Sequence, residues 1–465
     1  MFTKVRLHNF RSFDDVEIDF TDRRNRPKKM ILLYGENGMG KTSIVNAFYF
    51  LTQSFQTMET RDILQDFLSR KPERMSKEDF LNILRHSLLT MEDLISENKM
   101  IGSGSPMSLE FDFELDNRRG MYLIETDNRK IVHERLEYTL VQRRGVYFDI
   151  TSEKIQINSR ILKNEESLKT VRDSCRQFWG KHSLLAVIYY ECKDKAEHYF
   201  KDQLSEEFLK VMTFLNRCSC KVNNNDEDSR RSLTIPEQLL GRLGEGNIKR
   251  NQVTKLEKTS ELLTSFFHSA VPDIQSANYK THAEKEGLHY HLYFHKKIAG
   301  KIREIPFEYE SAGTQMLTDL LPYLFVPVFD GFCIIDELDN SLHDTLILYL
   351  LLSLYHGISD GQLIITTHNT AAMGKRIYQS SSDENKGNQG TEAKTDILPR
   401  DCIYTVSEDR TTGKKEIHPI TYYDNRVNIN TNIRNRYLDG DFGGLANQLD
   451  EQPLMDFKAY AKMII

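Results

Sequence analysis

No apolar run in this 465-residue sequence reaches the ~18–20 residues that a membrane span needs, and the most apolar stretch, around Leu346–Leu354, reads as a buried helix. Met1 leads straight into MFTKVRLHNF, which alternates like a strand and carries no continuous apolar leader. These absences point to a cytoplasmic protein with no membrane partner. Cysteine is sparse: of six residues only Cys218 and Cys220 stand close together, and no second Cys/His pair lies at zinc spacing. They read as free thiols of a reducing compartment. Sustained heptads, internal repeats and the stacking aromatics of an RNA-binding sheet are also missing. The single tryptophan, Trp179, reads as a packing residue. Neither sign of charge dominates, since the formal net charge of −6 argues against coating nucleic acid while leaving room for a local basic groove. What remains, 39% hydrophobic and 28% charged residues, is an ordinary globular composition with length for two or three domains.

Along the chain, Val5, Leu7 and Phe10, then Phe13, Val16, Ile18 and Phe20, predict two hairpin strands interrupted at Asn9–Ser12. Met30–Tyr34 reads as a strand buried on both faces, followed by a glycine loop and a helix over about Lys41–Leu51. Residues 58–100 read as amphipathic helices. From Met107 to about Ile157 the alternation of LEFDFEL, MYLIET, LEYTLV and VYFDI predicts an antiparallel sheet attached to the first. Helices are expected from about 160 to 270, broken by the hydrophilic NNNDEDSRRS at 223–232. Strands return from about 287, and 380–395 reads as a mobile surface loop.

Gly35-Glu36-Asn37-Gly38-Met39-Gly40-Lys41-Thr42 fits G-x-x-x-x-G-K-[ST] without a mismatch, with Ser43 next in the helix, and sits between a buried strand and that helix. Glycines let the backbone wrap a phosphate, the N–H groups form an anion nest, and the helix N-terminus adds favourable partial charge. Lys41 would reach the β- and γ-phosphates and the Thr42 hydroxyl would ligate Mg²⁺. A second apolar strand, Gly331–Ile335, ends in Asp336-Glu337, where an aspartate can hold Mg²⁺ and a glutamate can polarise an attacking water. Upstream, Ser311-Ala312-Gly313-Thr314-Gln315 opens an apolar helical pattern and offers a second anion site. Downstream, the buried run Gln362–Thr367 ends in His368, placed to bond a γ-phosphate.

This ordered series resembles the ABC ATPases of the SMC, RecF and OLD class. The resemblance implies an α/β fold: an ABC-type P-loop ATPase head with an attached antiparallel sheet and a helical insertion. Its parts would be lobe I over 1–155 with the Walker A loop, the insertion over 156–285, and lobe II over 286–465. It implies ATP and Mg²⁺ as ligands, Thr42 and Asp336 as metal residues, and Glu337 as general base with Lys41 and His368 in the catalytic set. Ser311, Gly313 and Gln315 form the signature, with Ser311 and Gly313 acting in trans on a second copy's nucleotide. The working unit is then a homodimer or higher homo-oligomer with ATP at the interface. Asn340–His343 occupies the D-loop position, with His343 where many relatives carry aspartate. The Q-loop glutamine has no clear place, and the region around Tyr189-Tyr190-Glu191 is the candidate.

More narrowly, FTKVRLHNFRSF, IIDELDNSLH, the strand with TTHN, and the tail around Arg400–Tyr404 and Arg436–Gly444 are similar to compact ATPases of bacterial anti-phage systems, namely abortive-infection ATPases and the ATPase subunit of PARIS. That similarity implies a separate toxic effector, a nuclease, and a phage-encoded trigger protein; DNA binding is compatible but not required. A RecF- or SMC-like repair ATPase that binds DNA directly is the alternative. Asp439-Gly440-Asp441 has the spacing of a nuclease pair but no apolar strand before it. Arg23, Arg24, Arg26, Lys28 and Lys29 read as a solvated hairpin tip. His289, His291 and His295 share one face of a strand and read as an exposed row, because one strand face does not by itself supply converging ligands.

Overall fold

The computed structural model describes residues 1–69, 89–140, 142–194, 202–223, 231–284, 287–339, 342–379, 392–409, 412–423 and 431–443. Two seven-stranded sheets dominate. The first strand, β1 (Phe2–Phe10), pairs antiparallel with β2 (Phe13–Asp19); Asn9 near the end of β1 and Arg11 in the turn stand at φ of 48° and 49°. The antiparallel sheet runs β2-β1-β4-β5-β6-β7-β8, with β4 Met107–Leu115, β5 Arg118–Thr126, β6 Ile131–Thr139, β7 Arg144–Thr151 and β8 Ile155–Ile157. Period-two alternation buries Leu109, Phe111 and Phe113 on one face, as the sequence leads one to expect.

The central sheet runs β10-β9-β15-β16-β3-β19-β20. Its members are β3 (Met30–Tyr34), β9 (Cys218–Lys221), β10 (Arg231–Ser232), β15 (Phe332–Ile335), β16 (Gln362–Thr366), β19 (Ile403–Glu408) and β20 (Lys415–Pro419). From β9 to β19 every pairing is parallel, and β3, β15 and β16 are buried along their whole length. Both faces are therefore covered: Ile31, Leu33, Ile334 and Ile364 pack towards one core, and Leu32, Ile335, Leu363 and Ile365 towards a second. A smaller sheet joins β11 (Glu245–Ile248), β12 (Ile274–Glu284), β13 (Gly287–Ile298) and β14 (Lys301–Pro306), with β13 between β11 and β12.

The span expected to be helical does hold helices Glu165–Phe178, Leu184–Asp194, Glu206–Asn216 and Val253–Ala270, but it also supplies β9 beside β15 and the strands β10 and β11. CSCK is four residues with a lysine and no alternation, so only its pairing to β15 makes it a strand. The basic turn is likewise divided. Arg23 and Arg24 are exposed, whereas Lys28 is buried, donating to the Tyr404 hydroxyl at 2.7 Å. Trp179 packs as expected, with Nε1 donating to Glu134 at 2.8 Å. All six cysteines are free, five of them buried. Residues 380–391 of the expected surface loop lie outside the described residues, while β17 (Lys375–Gln379) pairs antiparallel with β18 (Glu392–Asp396). Among the described residues no helix is long and apolar enough to cross a membrane.

Candidate active site

A sheet buried on both faces can expose polar side chains only at its ends, and here the ends of neighbouring parallel strands β15, β16 and β3 converge. The loop after β3 reaches helix Lys41–Ser54 through Gly40, whose φ of 104° is left-handed. A Cβ there would stand 2.6 Å from Ser12 Oγ and 2.7 Å from the Phe13 ring, so both conformation and space demand glycine. Lys41 is buried at the start of that helix, and its ammonium donates to the Gly35 and Glu36 carbonyls at 2.7 and 3.0 Å. Burial lowers its pKa, against Asp336, Glu337 and Asp339, which hold the charge. Arg11, Ser12, Asn37, Gly38, Lys41, Thr42, Ser43 and Glu337 line a cleft of about 450 Å³. Ser12 and Ser43 touch through their hydroxyls at 3.1 Å.

Asp336 follows β15 and is almost fully buried. Its Oδ1 accepts from the Thr366 hydroxyl at 2.5 Å, while Oδ2 is buried with no hydrogen-bond partner. Burial raises its pKa, against Thr366, the neighbouring Thr42 hydroxyl and Lys41, which pull it down. An orphaned buried carboxylate oxygen next to a threonine hydroxyl is the donor chemistry that a hard divalent cation such as Mg²⁺ takes, so these residues fit the ion. Glu337 sits at φ 50°, unusual for a residue with a side chain, and its N–H donates to Thr366 Oγ1 at 2.9 Å. Its Oε2 accepts from Asn223 Nδ2 at 2.6 Å. His368 is partly exposed; its N–H donates to Asp339 at 3.2 Å, and partial desolvation of its ring, followed by the charge of Lys41, lowers its pKa.

The structure thus gathers Gly35–Ser43, Asp336, Glu337 and His368 around one end of the central sheet. It does not bring the signature there within one chain. Ser311 N-caps helix Ala312–Val328, its Oγ accepting from Thr314 N at 3.2 Å, and Gln315 Nε2 donates to the Phe307, Glu308 and Glu310 carbonyls. Ser311, Gly313 and Gln315 do not line the cleft. Of the D-loop stretch, Asn340 and Ser341 lie outside the described residues, and His343 N-caps helix Asp344–Gly357. Tyr190 donates to Asp62 and Glu191 accepts from Ser174, both on helix faces. Asp441 is paired to Arg436 at 2.6 Å.

Two contacts were not read from the sequence. Asn223 belongs to a stretch that reads as a hydrophilic loop, and only the placement of β9 beside β15 delivers it to Glu337. Lys415 of β20 donates to the Gly38 carbonyl at 3.3 Å, across 377 residues.

A family model described as an AAA ATPase domain matches residues 1–372. The chain belongs to that family. It is an ATPase with an α/β P-loop fold. No curated protein matches the sequence. Among solved structures it is similar to an Smc head bound to the C-winged helix domain of ScpA, at 15% identity over 90% of this chain and 96% of that one, with a TM-score of 0.39. It is similar also to the SMC head domain from Thermotoga maritima (14%, 90% and 98%, TM-score 0.34). A third is an Smc head domain with an extended coiled coil bound to the C-terminal domain of ScpA derived from Pyrococcus furiosus (15%, 90% and 95%, TM-score 0.38).

Proposed function

We propose that this ATPase is the regulatory subunit of a bacterial anti-phage system, in which its nucleotide state holds or frees a separate toxic effector. The observation that carries the catalytic part is the convergence of Lys41, Asp336 and Glu337 at the ends of adjacent parallel strands, with Asp336 Oδ2 left without a partner. In this reading the loop Gly35–Ser43 binds the ATP phosphates and Lys41 neutralises charge on the transferred group. Thr42 and Asp336 would hold Mg²⁺, which would supply positive charge to offset that of the phosphates. Glu337 orients and deprotonates the attacking water, kept in place by Asn223 and by its own backbone bond to Thr366. His368 faces the same end of the sheet and would bond the γ-phosphate.

Ser311 and Gly313, absent from their own chain's cleft, would reach the nucleotide of a second copy, so the working unit is a homodimer or larger assembly. The division into lobe I, insertion and lobe II belongs to this proposal, with β9 as a strand that the insertion returns to the central sheet. Support for the defence role comes from the resemblance of the two ends of the sequence to compact defence ATPases.

The test is co-purification of tagged wild-type, Lys41→Ala and Glu337→Gln chains from cells carrying the native operon, with and without phage. A bound nuclease-like protein, released on infection in the wild type and retained or lost in the variants, supports the proposal. ATP-dependent DNA binding with no protein partner would replace it with direct action on DNA.

A further inference from the structure

The row of histidines on β13 is not alone on its face. Register places β11 beside it so that Glu245 stands opposite His291 and Asn247 opposite His289. Glu245, His289 and His291 each offer one ligand atom, and these atoms all lie within 4.8 Å of one another. His291 Nδ1 is already 3.4 Å from the Glu245 carboxylate, and the two imidazoles meet edge to face at 4.5 Å. His289 Nδ1 lies 2.6 Å from Asn247 Oδ1. An amide oxygen only accepts, so Nδ1 is the donor in that contact and Nε2 is left as the ring's ligand nitrogen. A histidine oriented through its other nitrogen by a neighbouring oxygen is the usual support of a metal-ligating ring.

The geometry points to a transition-metal site at Glu245, His289 and His291, of the two-histidine, one-carboxylate kind that takes Zn²⁺ with a position left for a fourth donor. Zinc sits about 2.0–2.2 Å from such ligands, which brings tetrahedral donors to roughly 3.3–3.6 Å apart. The Glu245–His291 pair already has that spacing, and a rotamer adjustment of a half-exposed ring supplies the rest. The opposite face of β13 is fixed: Tyr290, Leu292 and Phe294 are buried in the second core, so the metal face stands on a rigid strand. Neighbouring charges select the kind of ion. Arg242 and Lys255 line the adjoining cleft of about 570 Å³, and Lys280 on β12 is paired to Glu304. With cations close by, net charge does not draw in a hard ion; directed bonds from imidazole to a borderline-soft one do. His282 on β12 is the next imidazole, its ring 6.3 Å from that of His291. A bound ion would fasten β11 to β13 at the edge of the small sheet.

The test uses the full, untagged chain with all cysteines retained, stripped of metal and free of nucleotide, and titrated with Zn²⁺ against a chromophoric chelator. The expected result is about one equivalent bound, at least tenfold weaker in His289→Ala and in His291→Ala, and about tenfold weaker in Asn247→Ala. Lys41→Ala should bind like the wild type. Co²⁺ in place of Zn²⁺ should give visible absorption bands that the histidine variants lack. Should a β13 variant fail to fold, Glu245→Gln, at an exposed position, gives the same answer. No uptake by the wild type, or equal uptake by wild type and variants, overturns the site.

Discussion

The central sheet buries both faces and delivers polar side chains at its strand ends, whereas the antiparallel sheet buries one face and lays ions along the other. On the latter, Arg6 pairs with Glu17, Glu110 and Asp112, Arg135 with Glu137 and Asp149, and Arg144 with Glu137. Those groups are part-exposed and mutually satisfied, so they support solubility and register without concentrating unpaired charge. In the central sheet Lys41 and Asp336 have nowhere to spread, and burial shifts both towards their neutral forms. The same number of strands therefore yields a reactive centre in one sheet and a structural platform in the other. The difference is whether a desolvated group is left short of partners: Asp336 Oδ2 has none, whereas the buried Glu134 of the antiparallel sheet accepts from three donors.

Substitutions at the two sheets should separate activity from stability. The largest effect is expected for Lys41→Ala and Glu337→Gln, each lowering ATP turnover by about 100-fold or more while the melting temperature stays near wild type. Phosphate release and calorimetric scans check both halves. Next comes Glu134→Ala on β6. Glu134 is fully buried and accepts from Tyr122 OH, Trp179 Nε1 and Leu184 N, fastening the segment before helix Leu184–Asp194 to the sheet. Its removal orphans those donors and should cost about 2–4 kcal/mol in denaturant unfolding, with turnover per folded molecule unchanged. Burial also holds the Glu134 carboxyl up at about 7. The native state then keeps a proton that the unfolded chain gives up, so stability is greatest below the ordinary carboxylate range and falls as pH rises to about 7. Glu134→Gln should flatten that slope.

Asn223→Ala should reduce kcat about three- to tenfold with KM unchanged, because it frees a base rather than removing one. Smallest of all is Arg144→Ala, where loss of an exposed pair to Glu137 should change stability by less than about 0.5 kcal/mol.

The same contrast explains what could be read in advance. Met30–Tyr34, Phe332–Ile335 and Gln362–Thr366 are apolar runs, and β4 to β7 alternate, so three strands of the central sheet and most of the antiparallel one were legible from their pattern. The phosphate loop and the Asp336-Glu337 pair were legible because each sits at a strand end that composition already marks. Cys218–Lys221 was not, since four mixed residues carry no period, and with it went Asn223, whose role depends on which strand β9 lies beside. Lys28 was read as solvated, but its burial against Tyr404 is set by a strand about 375 residues away. The β13 histidines were visible as a row, while Glu245 and Asn247 become their neighbours only through cross-strand register.

The claim that two copies share each nucleotide is tested most directly by mixing two inactive chains, Lys41→Ala and Ser311→Arg, and measuring ATP turnover. Each alone should be inactive. In a random mixture half of the dimers pair an intact phosphate loop with an intact signature at one of two sites, so turnover should return to about a quarter of the wild-type rate. A mixture no more active than the separate chains, under conditions where they exchange, would contradict the shared site.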